Sequence, residues 1–483
     1  MLNLSINIIY KVGREFFSQV AHVLLFCGVL ALAACSAPQH APQVNHWMIH
    51  QSERVLHESD LPSFDLLDAA AQPALMAYIK AVLAHNPDLQ SIRATISATR
   101  HLVETVAAQR RPQLSASINA NRDKPTFESA PTNLIELTSS ISWSLDLWGM
   151  IEDEKAAAEL TVLQQQQTLQ WASRILAARA LDIWIVSTIL EQQIIHLDAQ
   201  QKLQASVTKI AREQYQSGLL SYEAWLEQQN ITKSLAINYQ DLLHQHRQSR
   251  FLMNGLRGKH PNEIVDTFYA GSKGLLVPLP TNISALALLN RPDILSAFTQ
   301  IEILDKQTKA AYKALLPQIT LTGKDSKMGS SLNEAFGETT LWALVGGLSQ
   351  PILNGGDLRA HARSASSEAK SAFWRYQYVV LQALQEVETV LSQERALHAN
   401  VQHQQAMLRN QRQLHEIRLQ QYRRGDVSVN DYLQSNILLL DTERQLLNQH
   451  SLYLSNRVAL TLALGEPLER ISEEYTGEAA DGY

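Results

Sequence analysis

Apolar positions along this chain change their spacing twice, and the same sequence of changes then recurs. From Leu75 to Ala108 the pattern is helical, and Arg111 closes it, because a residue preceding proline (Pro112) is pushed out of the helical region. The period then becomes two. Leu114, Ala116, Ile118 and Ala120 alternate with Ser115, Ser117, Asn119 and Asn121. After a turn-rich link, Ile135, Leu137, Ile141, Trp143 and Leu145 alternate with Glu136, Thr138, Ser140, Ser142 and Ser144, which predicts a second strand. Two helical runs follow. The first, Ile151 to about Gln214, contains neither Pro nor Gly, and the second returns from Leu219 to about Gly255.

The second half repeats this order. A helical run from Ile283 to Leu316 precedes strands marked by Ile319 and Leu321, then by Trp342, Leu344, Gly346 and Leu348. Leu358 to Gln421 and Val427 to Ala463 then form a second pair of long helices. The words recur with the pattern. Asn86-Pro87-Asp88-Leu89 returns as Arg291-Pro292-Asp293-Ile294, Arg111-Pro112-Gln113-Leu114 as Leu316-Pro317-Gln318-Ile319, and Gln214-Tyr215-Gln216-Ser217-Gly218 as Gln421-Tyr422-Arg423-Arg424-Gly425. The displacement drifts by two residues across the repeat, and Leu353-Asn354-Gly355-Gly356 against Trp148-Gly149 is one candidate for the extra length.

Each strand is about ten residues long, enough to cross a bilayer when tilted, with one apolar face and one of small polar residues. Four strands cannot close a barrel, and open strand edges are not tolerated in hydrocarbon. The chain therefore has to share a barrel, and three copies supply roughly twelve strands. Leu176, Ala180, Ile183, Leu190, Ile194 and Leu197 in one helix, and Leu433, Ile437, Leu440, Leu447, Leu454 and Val458 in another, fall at steps suited to coiled-coil packing. Lys259 to Asn282, with Pro261, Pro278 and Pro280, reads as a collar interrupting the helices.

Composition narrows the function. A formal charge of −6 with no basic stripe gives no reason to expect nucleic acid. The two cysteines, Cys27 and Cys35, both lie at the N-terminus. There Lys11 and Arg14 precede a short apolar run ending in Leu32-Ala33-Ala34-Cys35, which reads as a secretory signal with a lipobox, Cys35 becoming the lipidated first residue. Ordinary cleavage with Cys35 incidental is the alternative. No other cofactor is expected. His244 and His246 point to different sides of a helix and read as solvated surface, and no metalloprotease, nucleophile-elbow or phosphate-loop motif is present.

The doubled order of these pieces resembles the TolC-type outer-membrane efflux family, and within it the lipoprotein branch serving resistance-nodulation-division pumps. The pieces are Leu279-Pro280 followed by Asn290-Arg291-Pro292-Asp293-Ile294, Trp143 to Gly149 with its counterpart Gln350 to Gly356, and the two Tyr-x-x-Gly turns. The resemblance implies a mainly α fold with a small β part. Long helical hairpins would form an α-barrel, and four strands per chain would join a trimeric, 12-stranded β-barrel in the outer membrane. It implies a homotrimer that docks a periplasmic adaptor and, through it, an inner-membrane pump, conducting small molecules out of the cell. Tyr215, Gly218, Tyr422 and Gly425 then mark the adaptor-docking periplasmic tips, and Asp431 the entrance constriction, with Gln434 where the family often carries a second acid. The expected divisions are a signal peptide (1–34), a lipidated extension (35–70), two repeats (71–282 and 283–466) and an acidic tail (467–483). A type I protein-secretion duct and a lipid-anchored periplasmic rod are the alternatives.

Overall fold

The structure, a computed structural model, describes residues 73–124, 131–263, 288–337 and 341–465. The signal peptide, Cys35 and its extension, most of the proline-containing collar and the acidic tail lie outside the described residues.

In chain order the elements are α1 (Pro73–His85), α2 (Pro87–Ala108), β1 (Gln113–Asp123), β2 (Thr132–Leu145), α3 (Met150–Gln216), α4 (Tyr222–Leu256), α5 (Pro292–Lys313), β3 (Gln318–Gly329), α6 (Leu332–Ala335), β4 (Leu341–Ser349), α7 (Asp357–Arg424) and α8 (Val429–Ala463). The repeat survives in the lengths. Helices α2 and α5 both have 22 residues, α3 and α7 have 67 and 68, and α4 and α8 both have 35.

Two helices differ from the sequence reading, for one reason. Leu75 to Ala108 is two helices divided at Asn86, and the run expected from Ile283 is broken at 289–291, so that α5 begins at Pro292. Both breaks fall at the residue before a proline, which disfavours the helical region, while the proline itself fits the first helical turn. Asn86 uses the break. Its side-chain oxygen accepts from the N–H groups of Asp88 (3.0 Å) and Leu89 (3.4 Å), capping α2, and its amide donates to the Leu256 carbonyl at the end of α4 (2.9 Å). In the second repeat, buried Arg291 donates likewise to Ala463 O at the end of α8 (2.6 Å) and also to Asp293 and Glu386.

The four strands form one antiparallel sheet in the order β1-β2-β3-β4, so β2 of the first repeat pairs with β3 of the second. Leu114↔Ile141↔Gly323↔Leu344 is one continuous row of the apolar face. Across the other face, the Ser115 and Ser140 hydroxyls are 2.9 Å apart and Lys324 Nζ lies 3.2 Å from Glu136. Asp325 and Lys327 interrupt the apolar face near the far end of β3, which the sequence reading did not anticipate.

The pairings also relocate the extra residues of the second repeat. Gln113 pairs with Ser142 and its counterpart Gln318 with Ser349, so β1 maps onto β3 by 205 positions while β2 maps onto β4 by 207. The two additional residues therefore lie in the β3–β4 connection and not at Leu353-Asn354-Gly355-Gly356. That connection holds α6, a single turn capped by Ser331, with buried Ala335 against Gly329 and with Glu334 accepting from Ser330 N and Oγ.

The chain divides into two compact units. One, Thr95–Gln166 with Ser296–Gln377, contains the sheet and the helical segments that lead into it. There, buried Asp153 near the start of α3 pairs with Lys313 at the end of α5, and Trp148 Nε1 donates to Pro317 O (2.6 Å). The other unit contains Gln51–Ala94, Gln167–Leu295 and Tyr378–Tyr483. Its core joins Leu75, Tyr78 and Val82 of α1 to Leu181 and Trp184 of α3, Met253 of α4 and Val458 of α8. Most of the expected α3 seam is inside, since Ala180, Ile183, Leu190 and Leu197 are buried. On α8 only Leu454 and Val458 are, and Leu433 to Leu447 stay half-exposed in the single chain. Between α7 and α8, fully buried Glu394 is paired with Arg457 and accepts from Asn456 Nδ2 (2.7 Å).

Candidate functional site

Two places concentrate exposed features that the fold itself does not use: the turns of the long hairpins and the edges of the sheet. Both turns are built alike. Helix α3 ends at Gln216, Gly218 takes a left-handed conformation (φ 74°), and Ser221 caps α4 by accepting from Ala224 N (3.2 Å). Helix α7 ends at Arg424, Gly425 is left-handed (φ 81°), and Ser428 caps α8. Such a backbone favours glycine, which has no Cβ to strain it.

Aromatic rings then staple the two arms. Tyr215 lies flat on Trp225, with centroids 5.3 Å apart and planes 4° from parallel, and Tyr222 tilts against both. Tyr422 stacks on Tyr432 at 5.4 Å and 11°, and His415 stacks on the same Tyr432 while its Nδ1 lies 3.0 Å from Ser435 Oγ. Trp225 and Tyr432 are partners the sequence reading missed. Their signal was an aromatic residue ten positions after the tyrosine in both repeats.

The structure thus brings Tyr215 and Tyr422 into ring pairs and places Gly218 and Gly425 at the bends. It gives Asp431 a definite local task. Asp431 is the third residue of α8, its carboxylate accepting from Ser428 N (3.1 Å) and Ser428 Oγ (2.7 Å) while its own N–H donates back to Ser428 Oγ (3.2 Å). This is a capping box, which satisfies backbone donors that a helix start leaves open. The Ser428 hydroxyl and N–H together hold the Asp431 carboxyl below its ordinary value of 3.8, so it is ionised at neutral pH. The turns differ in character. The first exposes Leu219 and Tyr222, while the second carries Arg423, Arg424 and Asp426.

His244 is exposed as expected, but His246 is not solvated surface. Its ring is half-buried 3.8 Å from Glu191, and burial lowers its pKa. Among the described residues no group of His, Cys, Asp or Glu could hold a metal ion, and no helix is long and apolar enough to cross a membrane.

At the sheet, β1 and β4 are edges, and they carry Leu114, Ile118, Trp342 and Leu344 at 65–80% exposure. Just beyond β4, Ile352 and Leu353 are 94% and 93% exposed. The sheet is thus amphipathic, with both of its edges bare in the single chain.

Residues 78–251 and 283–466, covering both repeats, match the family described as outer membrane efflux protein. The chain belongs to that family. It is 26% identical over 419 residues to the probable outer membrane lipoprotein SilC of Salmonella typhimurium, covering 81% of this chain and 86% of that protein. It is 25% identical to the cation efflux system protein CusC of Escherichia coli K12, covering 92% and 98%. The fold matches crystal structures of CusC (TM-score 0.73, 20% identity, 85% of this chain and 99% of that one) and of the Campylobacter jejuni CmeC outer membrane channel (0.75, 18%, 88% and 93%). This outer membrane efflux protein is a channel subunit of the outer membrane, an exit duct of a tripartite efflux system.

Proposed function

We propose that three copies of this efflux protein close a twelve-stranded β-barrel, and that the duct so formed passively conducts small molecules delivered by an inner-membrane pump of the resistance-nodulation-division type through a periplasmic adaptor. The observation that carries this is the four-stranded sheet with one apolar face and two open edges. Such a sheet is stable in hydrocarbon only when other chains pair its edges. Cys35 carries the lipid in this reading, an anchor that adds to the barrel's own hold on the membrane.

The hairpin turns are the adaptor-docking ends. Tyr215 with Gly218 and Tyr422 with Gly425 shape them, and Asp431 sits at the entrance constriction. The stapled, capped turns support this, because a docking surface works best when held rigid before its partner arrives. Selection of cargo belongs to the pump. The experiment is single-channel conductance of the purified, lipidated protein in a planar bilayer, with Asp431→Ala alongside. Discrete conductances that Asp431→Ala enlarges support a duct gated at the tip. A well-folded monomer that conducts nothing in either form would leave only an anchored rod.

A further inference from the structure

The connection between β3 and β4 does not run straight out into water. Gly329, the last residue of β3, pairs with Ile135, which belongs to the apolar face with Leu137 and Ile141. Directly opposite residues share a side of the sheet, so a Cβ on Gly329 would project from that same face. It would collide there with Ala335 N and with Glu334. So close an approach of backbone to backbone requires glycine. Helix α6 is therefore folded back onto the apolar face, with Ala335 fully buried at the contact.

The same turn leaves two large apolar side chains uncovered. Leu332 is 54% and Phe336 64% exposed, and residues four apart share one side of a helical turn. Their position says what covers them. Helix α6 rests on β2 and β3, the two inner strands, whereas another copy of the chain could pair only at β1 or β4. What remains over the middle of an apolar face is lipid.

The charges beside α6 fix its depth. Trp342 pairs with Asp325, and ten positions separate Trp342 from exposed Ile352, a length that crosses a bilayer when tilted. Tryptophan also favours the edge of the apolar band of a barrel. Asp325 thus stands at the outer limit of that band, and Lys327, Gly329 and α6 lie just beyond it. Among the described residues neither Asp325 nor Lys327 has a hydrogen bond or ion pair. Both would be costly in mid-bilayer, and the cost falls away at the interface.

We infer that α6 is a foot set in the outer leaflet of the membrane, with Leu332 and Phe336 entering the boundary between headgroups and acyl chains and Lys327 meeting headgroup phosphate. This goes beyond the shared-barrel reading and rests on it, because the apolar face has to face lipid. Apolar side chains on a polar turn suit that boundary, where one side of the turn is wet and the other is not.

The test is fluorescence quenching of the full-length protein reconstituted in phosphatidylcholine vesicles. A fluorophore is attached at Leu332→Cys, Asn333→Cys, Phe336→Cys or Leu344→Cys, with the unsubstituted chain as the blank. Labels at 332 and 336 should lose most of their emission to lipids spin-labelled near the headgroup and little to iodide, while the label at 333 should behave the opposite way. Adding Gly329→Ala to Phe336→Cys should lift the turn and hand that label over to iodide. An unchanged label in that background overturns the seat on Gly329. If 332 and 336 follow 333 while Leu344→Cys is quenched by lipid spin-labelled in mid-chain, the foot is overturned and the barrel stands. If iodide quenches the label at 344 as well, both readings fall.

Discussion

At the scale of single residues, the second hairpin turn assigns Asp431 two duties that separate experimentally. Its carboxylate is part of a capping box, and its charge is the one proposed for the entrance. The folded-state pKa lies below the ordinary 3.8, so the capping contribution is complete above that value and fades as pH falls through the depressed one. Amide exchange at 428–432 is therefore expected to be flat from neutral pH down to about 4 once the intrinsic rate is divided out, and to accelerate below it. Asp431→Asn should remove that acid limb. Ser428→Ala should loosen the turn by about 1 kcal/mol while leaving the charge. If only Asp431→Asn enlarges the conductance, charge closes the entrance; if both variants do, the cap closes it. Gly425 gives a cleaner backbone test. Nothing lies within 4 Å of an added Cβ, so Gly425→Ala carries only the left-handed penalty, about 1–2 kcal/mol, read as a lower melting temperature. The same change at Gly465 adds a clash with the Arg291 side chain and should cost more.

At the scale of elements, the hairpin of α7 and α8 encloses an ion pair whose acid has no exposed surface. Arg457→Met would leave Glu394 buried without its cation, a loss of about 3–5 kcal/mol. Glu394→Leu together with Arg457→Met should recover most of it, measured by thermal melting of the solubilised protein. Element identity was largely legible from the sequence, because an interruption-free run such as Ile151 to Gln214 and the alternation at Leu114–Ala120 each admit one reading. The breaks at Asn86 and Arg291 were in plain view as repeated words. They were read as repeat markers and not as the pre-proline positions that end a helix. What the sequence hid was pairing. The site of the two extra residues needed the strand register, and the Tyr215–Trp225 and Tyr422–Tyr432 stacks needed two arms folded together. From the sequence Asp431 reads only as an entrance acid, because a capping box shows only weakly when aspartate stands in the third helical position.

At the scale of the whole molecule, the lipid proposed for Cys35 can be tested apart from the channel. Radiolabelled palmitate should enter the wild type and not Cys35→Ser, while the variant, if extracted from the outer membrane, should still conduct. Retained label would instead leave Cys35 incidental. The bare edges of β1 and β4 have a kinetic corollary. A single chain cannot bury its strand hydrogen bonds in lipid, so each newly exported copy has to wait in water with an adhesive edge exposed. Insertion then depends on encounter. Its rate should rise faster than in proportion to the supply of chains, and a cell making too few would accumulate stranded single copies, open to proteases, before it ran short of genes to express.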